Sequence, residues 1–184
     1  MRKALAITIA LAFIVTVIAV CGCGGDASRA KDYMNKGDAL LKTVEGQYTS
    51  ISRKMTTLIA EYTAGKNTEP TAVKAKIAEI TGLLDAAKAG QDAASAEYGK
   101  ILSLKGVPDY VKYAALQIEV IDKLGKANEE VRVMLDVVQA SSTTGQPPDV
   151  QKLTTLSTNL QKLSGEIDTL MKQANDLKQS KNLG

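Results

Sequence analysis

Three times along this chain a glycine is followed within a few residues by a proline, and the three breaks lie about 40 residues apart. They are Gly65 to Pro70, Gly106-Val107-Pro108 and Gly145-Gln146-Pro147-Pro148. Glycine accepts the left-handed conformation that ends a helix, and proline has no N–H to lose in the first turn of the next one. A chain punctuated in this way is restricted to long helical segments joined by short turns.

The segments between the breaks have the matching periodicity. Apolar residues recur at alternating steps of three and four, the signature of helices packed on one another. The first helix is expected over 30–64, with Tyr33, Leu40, Val44, Tyr48, Ile51, Met55, Leu58 and Tyr62 on its stripe and Gly37 filling a gap. A second over 71–104 carries Val73, Ile77, Ile80, Leu84, Ala87, Ala94, Tyr98 and Ile101, with Gln91 at one stripe position. The third, over 109–140, shows Val111, Ala114, Ile118, Ile121, Leu124, Val131, Leu135 and Val138, with Asn128 inside the stripe. In the fourth, over 149–179, Leu153, Leu156, Leu160, Leu163, Ile167, Leu170, Ala174 and Leu177 keep strict heptad steps. Asp109 and Asp149 would lie in first turns, where the helix dipole favours negative charge. Residues 181–184 read as a frayed tail.

Four helices of similar length and short connections predict an all-α fold: a long antiparallel up-down-up-down four-helix bundle with coiled-coil-like heptad packing, spanning 30–180. At 1.5 Å per residue such a bundle is roughly 50 Å long. Its alternative is a pair of helical hairpins that assemble only with a partner chain. Pro70-x-x-Val73-Lys74 matches Pro108-x-x-Val111-Lys112, and the shared chemistry of helix starts accounts for that match without a duplication.

The first two dozen residues differ from everything after them. Arg2 and Lys3 precede an uncharged apolar run, Ala4 to Val20, and a small-residue cluster, Cys21-Gly22-Cys23-Gly24-Gly25, follows. A positive flank and an apolar run of 17 residues, at the lower edge of what spans a bilayer, form an export signal. Val20-Cys21-Gly22-Cys23 resembles the lipobox of bacterial lipoproteins, with an aliphatic residue, a variable one, a small one and the cysteine to be acylated. The resemblance implies a signal peptide over 1–22 and a diacylglyceryl group on Cys23 as the first mature residue. Residues 23–29 would then form the lipidated cysteine and a short tether. The alternative frame, Ile18-Ala19-Val20-Cys21, would acylate Cys21 but puts branched Val20 at the small position. Several acyl chains together anchor a protein stably, where one alone does not. The expected location is the extracytoplasmic face of the cell membrane or outer membrane.

Composition narrows the chemistry. Without the leader, 21 Lys and Arg face 20 Asp and Glu, so no basic stripe for nucleic acid is expected. There is no histidine, and both cysteines lie in the lipobox region, too close for an unstrained disulfide. The common general base, the common nucleophile–base triads and the usual zinc ligands are therefore missing. Adjacent acids such as Glu129-Glu130 point in different directions on a helix and read as a solvated face. Neither catalysis nor a cofactor nor a metal is expected.

Three groups of residues stand out as candidates. Tyr33, Tyr98, Tyr110 and Tyr113, with Gln117 nearby, would gather at the end where the first helix starts, either as a ligand or interface cluster or as filling for that end. Gln91, Gln117 and Asn128 place amides on apolar stripes, where they set helix register at some expense of stability. The tract from Ala86 to Ala96, with Gly90 inside it, allows close packing or leaves a groove for a partner helix. Together these features suggest a non-catalytic interaction or structural module, presenting helix faces to an envelope protein or polymer. A second copy of the chain would serve as such a partner too. The alternative is an extracytoplasmic bundle that binds a small ligand or senses one.

Overall fold

What ends and starts the helices is clearest at the second and third breaks. Gly106 and Gly145 both adopt positive φ, 73° and 68°. Pro108 occupies the first turn of the helix it opens, as Pro70 does. The computed structural model describes residues 25–64 and 69–183; the leader with Cys21 and Cys23, the first break at 65–68 and Gly184 lie outside them. Among the described residues there are four α-helices and no strand: α1 (Gly25–Thr63), α2 (Pro70–Ile101), α3 (Pro108–Thr144) and α4 (Val150–Ser180).

Several boundaries depart from the sequence reading, each for a local reason. The tether expected through residue 29 is helical from Gly25, and Asp26 sits in the first turn with Arg29 donating to it at 3.2 Å. Helix α2 stops at Ile101 rather than 104, because the Leu104 N–H donates to the Ile101 carbonyl and the chain turns there. At its other end, α3 runs on to Thr144. Ser141 and Ser142 are buried there, and the Ser142, Thr143 and Thr144 hydroxyls donate to carbonyls three or four residues back. Asp149 is not inside α4 but caps it, accepting from the Lys152 N–H at 2.9 Å.

The tail expected to fray is ordered through residue 183. Asn182 takes positive φ, its N–H donates to the Gln179 carbonyl, and the Leu183 N–H donates to the Lys178 carbonyl. This is a Schellman-type cap, and it turns Leu183 inward to 4% exposure.

Consecutive helices lie against one another. Lys54 pairs with Glu79 and Glu61 with Lys76, while Tyr98 on α2 reaches Asp38 on α1, so numbers rise along α1 as they fall along α2. The same inversion relates α2 to α3 (Asp85 with Arg132, Gln91 with Asn128) and α3 to α4 (Lys123 with Glu166, Glu130 with Asn159).

Burial follows the expected spacing in α2, where all nine stripe positions, Gln91 included, are buried. In α1 the stripe is displaced at its start. Ala30, Met34, Gly37, Leu41 and Val44 are buried, whereas Tyr33 and Leu40 flank them half-exposed. The reason is visible at Gly37. A Cβ there would sit 2.6 Å from Tyr98 Cζ, so the Tyr98 ring lies directly on the α1 backbone and fixes which face turns inward. Gly90 does the same in reverse, receiving Val44 of α1 where a Cβ would stand 2.7 Å from Val44 Cγ2. Of the interior glycines, these two mark close approach; Gly46, Gly82, Gly125 and Gly165 face open space.

Helix α3 is the centre of the molecule, buried on a broad face that includes Tyr113, Gln117, Val120, Ala127 and Met134 besides the expected stripe, of which Ile118 and Leu124 are only half-buried. Helix α4 is the opposite case. It lies along α3 and makes no comparable contact with α1 or α2. Only Leu156 and Ala174 of its heptad stripe are buried. No described helix is long and apolar enough to cross a membrane.

Candidate functional site

The Tyr98 ring, seated on Gly37, delivers its hydroxyl to Asp38, the next residue of α1. Tyr98 Oη donates to Asp38 Oδ1 at 2.6 Å, and Tyr113 Oη of α3 donates to the same oxygen at 2.8 Å. Lys178 Nζ of α4 donates to Asp38 Oδ2 at 2.6 Å and lies 5.7 Å from the centre of the Tyr113 ring. Gln117 Nε2 then donates to Tyr113 Oη at 2.8 Å. One carboxylate thus ties all four helices together at the end where α1 begins. The two rings meet edge to face with centroids 6.2 Å apart.

Electrostatics fix the protonation of this node. Burial, then the hydrogen bond and negative charge of Asp38, push the Tyr98 hydroxyl far above its ordinary range. Burial and Asp38 act the same way on Tyr113, against a smaller opposing effect of Gln117. Both phenols are therefore donors at neutral pH, with no tendency to serve as bases or nucleophiles. The carboxylate is matched by one ammonium, and its Oδ1 already receives two hydrogens.

Of the residues singled out in sequence, Tyr98, Tyr113 and Gln117 meet here. Tyr33 stands beside them, half-buried beneath Lys100, whose Nζ lies 5.2 Å from its ring centre. Tyr110 packs half-buried on the same apolar cluster, which also contains Ala30, Met34, Ile101, Val107 and Leu183. Sequence reasoning missed Asp38 and Lys178. Their signal was position: each immediately follows a stripe residue, Gly37 and Leu177, and a charge there faces the neighbouring helix.

A second polar node lies midway along the helices. Tyr48 Oη is 2.8 Å from the Leu124 carbonyl and 2.6 Å from Asn128 Oδ1, and it accepts from Gln91 Nε2 at 2.8 Å. Of the three amides expected on the stripes, Gln91 and Asn128 are thus partnered here, while Gln117 donates to Tyr113 with its Oε1 left without a partner; the tyrosine joining the first two was the part not foreseen. Burial raises the Tyr48 hydroxyl to about 12, the Gln91 hydrogen bond pulling weakly the other way. At the far end Tyr62 Oη meets Ser141 Oγ at 2.7 Å, and Ser141 also donates to the Gln146 carbonyl.

Cavities are shallow. One of about 450 Å³ lies at the α3–α4 turn against Ser141, Gln146 and Asp149. Another of about 530 Å³ runs between α3 and α4, lined by Lys126, Glu130, Val133, Lys162 and Leu163 among others. Among the described residues no three or more Cys, Asp or Glu side chains cluster in a way that could hold a metal. Comparison with family models, with curated proteins and with solved structures finds no match.

Proposed function

We propose that the protein is a lipid-anchored, non-catalytic module of the cell envelope, held through Cys23. In this reading its up-down-up-down helices, packed on heptad seams, present a helix face to another envelope component. The observation that carries it is the state of α4. Leu163, Ile167, Leu170 and Met171 are half-exposed and belong to neither apolar cluster of the core, although their spacing is the most regular in the chain. A stripe of that regularity is a surface for another helix, and the flank toward α1 carries small side chains at Ser157 and Ser164. The inverted order of the ion pairs supports the alternating direction of the helices.

A photo-crosslinking residue at Ser164, beside the open stripe, should capture a partner in intact cells. The same residue at Lys172, on the opposite side of α4, should not. A purified protein that is a stable monomer and gives no adduct from position 164 would sink this reading.

Small-ligand binding has one observation in its favour: Gln117 Oε1 is buried without a partner beside the Tyr113 hydroxyl. Against it, the rings of Tyr98 and Tyr113 occupy the space between the helices there. A melting temperature that rises with ligand concentration in a screen of small envelope metabolites, and loses that rise in Gln117→Leu, would bring it forward.

A further inference from the structure

The end of the molecule that carries the Asp38 node has an outer surface with its own character. It is formed by the start of α1, the turn over 102–107 and the cap at 181–183. Leu102 is 38% exposed on that turn, one of few large apolar side chains so open. Lys105 on that turn, Lys112 near the start of α3 and Lys181 at the end of α4 are exposed, outnumbering the half-buried Asp26 and Asp109 of the same end, and Tyr33 and Tyr110 pack half-buried on the apolar cluster beneath. The surface is held rigidly. The Lys105 N–H donates to Asp26 in the first turn of α1 at 3.3 Å, and Val107 and Leu183 are sunk into the cluster beneath.

We infer that this end lies directly on a phospholipid bilayer containing anionic headgroups, with Leu102 entering the acyl boundary and the three lysines ranged over the phosphates. The inference rests on the proposed anchoring through Cys23. Helix α1 begins at Gly25, two residues further on, so the chain between lipid and helix reaches at most about 7 Å. An anchor that short brings the α1 end to the headgroups whatever the bundle does at its other end. The residues found there are those an interface favours: tyrosines with an apolar ring and polar tip, and lysines whose stems lie in the boundary while their charges stay in water. The opposite end, by contrast, presents exposed Glu69, Asp136 and Asp149 beside Lys152. It also has the more exposed Val150, at 67%, so an open apolar residue alone does not select the membrane side; the attachment point does.

The chain contains no tryptophan, so one introduced residue reports alone. Leu102→Trp and Val150→Trp are made in the full, processed chain, purified from membranes and reconstituted into phosphatidylcholine–phosphatidylglycerol vesicles with brominated acyl chains. Both positions are open, and circular dichroism checks that each variant keeps its helices. The tryptophan at 102 should be blue-shifted and quenched about twofold or more, while that at 150 is unaffected. Adding Lys105→Glu and Lys112→Glu should reduce the quenching at 102 in phosphatidylglycerol vesicles. Equal quenching at both positions, or stronger quenching at 150, would overturn the assignment. Vesicle flotation separates the two readings. A chain that floats with the vesicles but leaves position 102 unquenched refutes this surface alone, whereas one that does not float refutes the anchor and the surface together.

Discussion

Replacing Asp38 by alanine tests the four-helix node directly, and its size follows from the geometry. The substitution leaves Tyr98 Oη and Tyr113 Oη, both on buried rings, without their acceptor. Each buried donor left unpaired costs about 1–3 kcal/mol. Lys178, whose side chain is 30% exposed, loses its partner but returns to water, a loss of about 0–1 kcal/mol. The total expected is about 2–7 kcal/mol, a large share of the 5–15 kcal/mol typical of a folded domain. Asp38→Asn keeps one acceptor oxygen for the two phenols but loses the charge and sets an NH2 donor against Lys178, so about 1–2 kcal/mol is expected. Lys178→Met leaves both phenol bonds in place and should cost about 1 kcal/mol or less. Urea unfolding followed by circular dichroism measures all three. With a slope of about 1–3 kcal/mol per molar urea, Asp38→Ala should move the midpoint by at least about 0.7 M. The reasoning fails if Asp38→Ala and Lys178→Met shift it equally, because the carboxylate would then matter only as a surface ion-pair partner.

The glycines divide into two kinds. Gly37→Ala forces the Tyr98 ring off the α1 backbone and should destabilise by about 1–3 kcal/mol, as overpacked cores do, whereas Gly82→Ala, facing open space, should stabilise by about 0.5–1 kcal/mol in the same urea assay. Alkali should unfold the protein through its phenols. Tyr48, Tyr98 and Tyr113 ionise less readily folded than unfolded, so the stability they lend is complete below the unfolded tyrosine value near 10. It is lost as pH rises from there through about 12 for Tyr48. Helical ellipticity and tyrosinate absorbance near 295 nm should therefore change together in that range, and tyrosinate signals complete before any helix is lost would refute the assignment. Deleting residues 182–184 removes the buried Leu183 and should cost about 1.5–3 kcal/mol, whereas a frayed tail would cost nothing.

Much of the helical layout was legible because proline and glycine act locally. Pro70, Pro108 and Gly145 impose their conformations whatever surrounds them, and the α2 stripe could be written residue for residue. The errors arose where distant residues decide. The α1 stripe was set one residue off at Tyr33 and Leu40 because period alone ranks tyrosine and leucine as good core residues. What excludes them is the Tyr98 ring, arriving from 61 positions away to lie on Gly37. The extension of α3 through Thr144 was hidden for the opposite reason. Its serines and threonines score as turn formers until Ser141 and Ser142 are seen to be buried. Within the candidate site, the tyrosines announced themselves by scarcity, whereas Asp38 and Lys178 are single charges among many, distinguished only once the helices are set side by side.

The attachment of α4 chiefly to α3 has a consequence in time. The first three helices share a core that each helps to close, whereas α4 meets that core along α3, through Leu156 in one cluster and Ala174 and Leu183 in the other, with Lys178 latched onto α1. Amide hydrogens of α4 should accordingly exchange with solvent earlier than those of α2, and as a group. The exchange should be fastest toward mid-helix, where the stripe lies open, and slowest beside Ala174. Such early opening makes α4 the segment another chain could replace while the rest of the molecule stays folded.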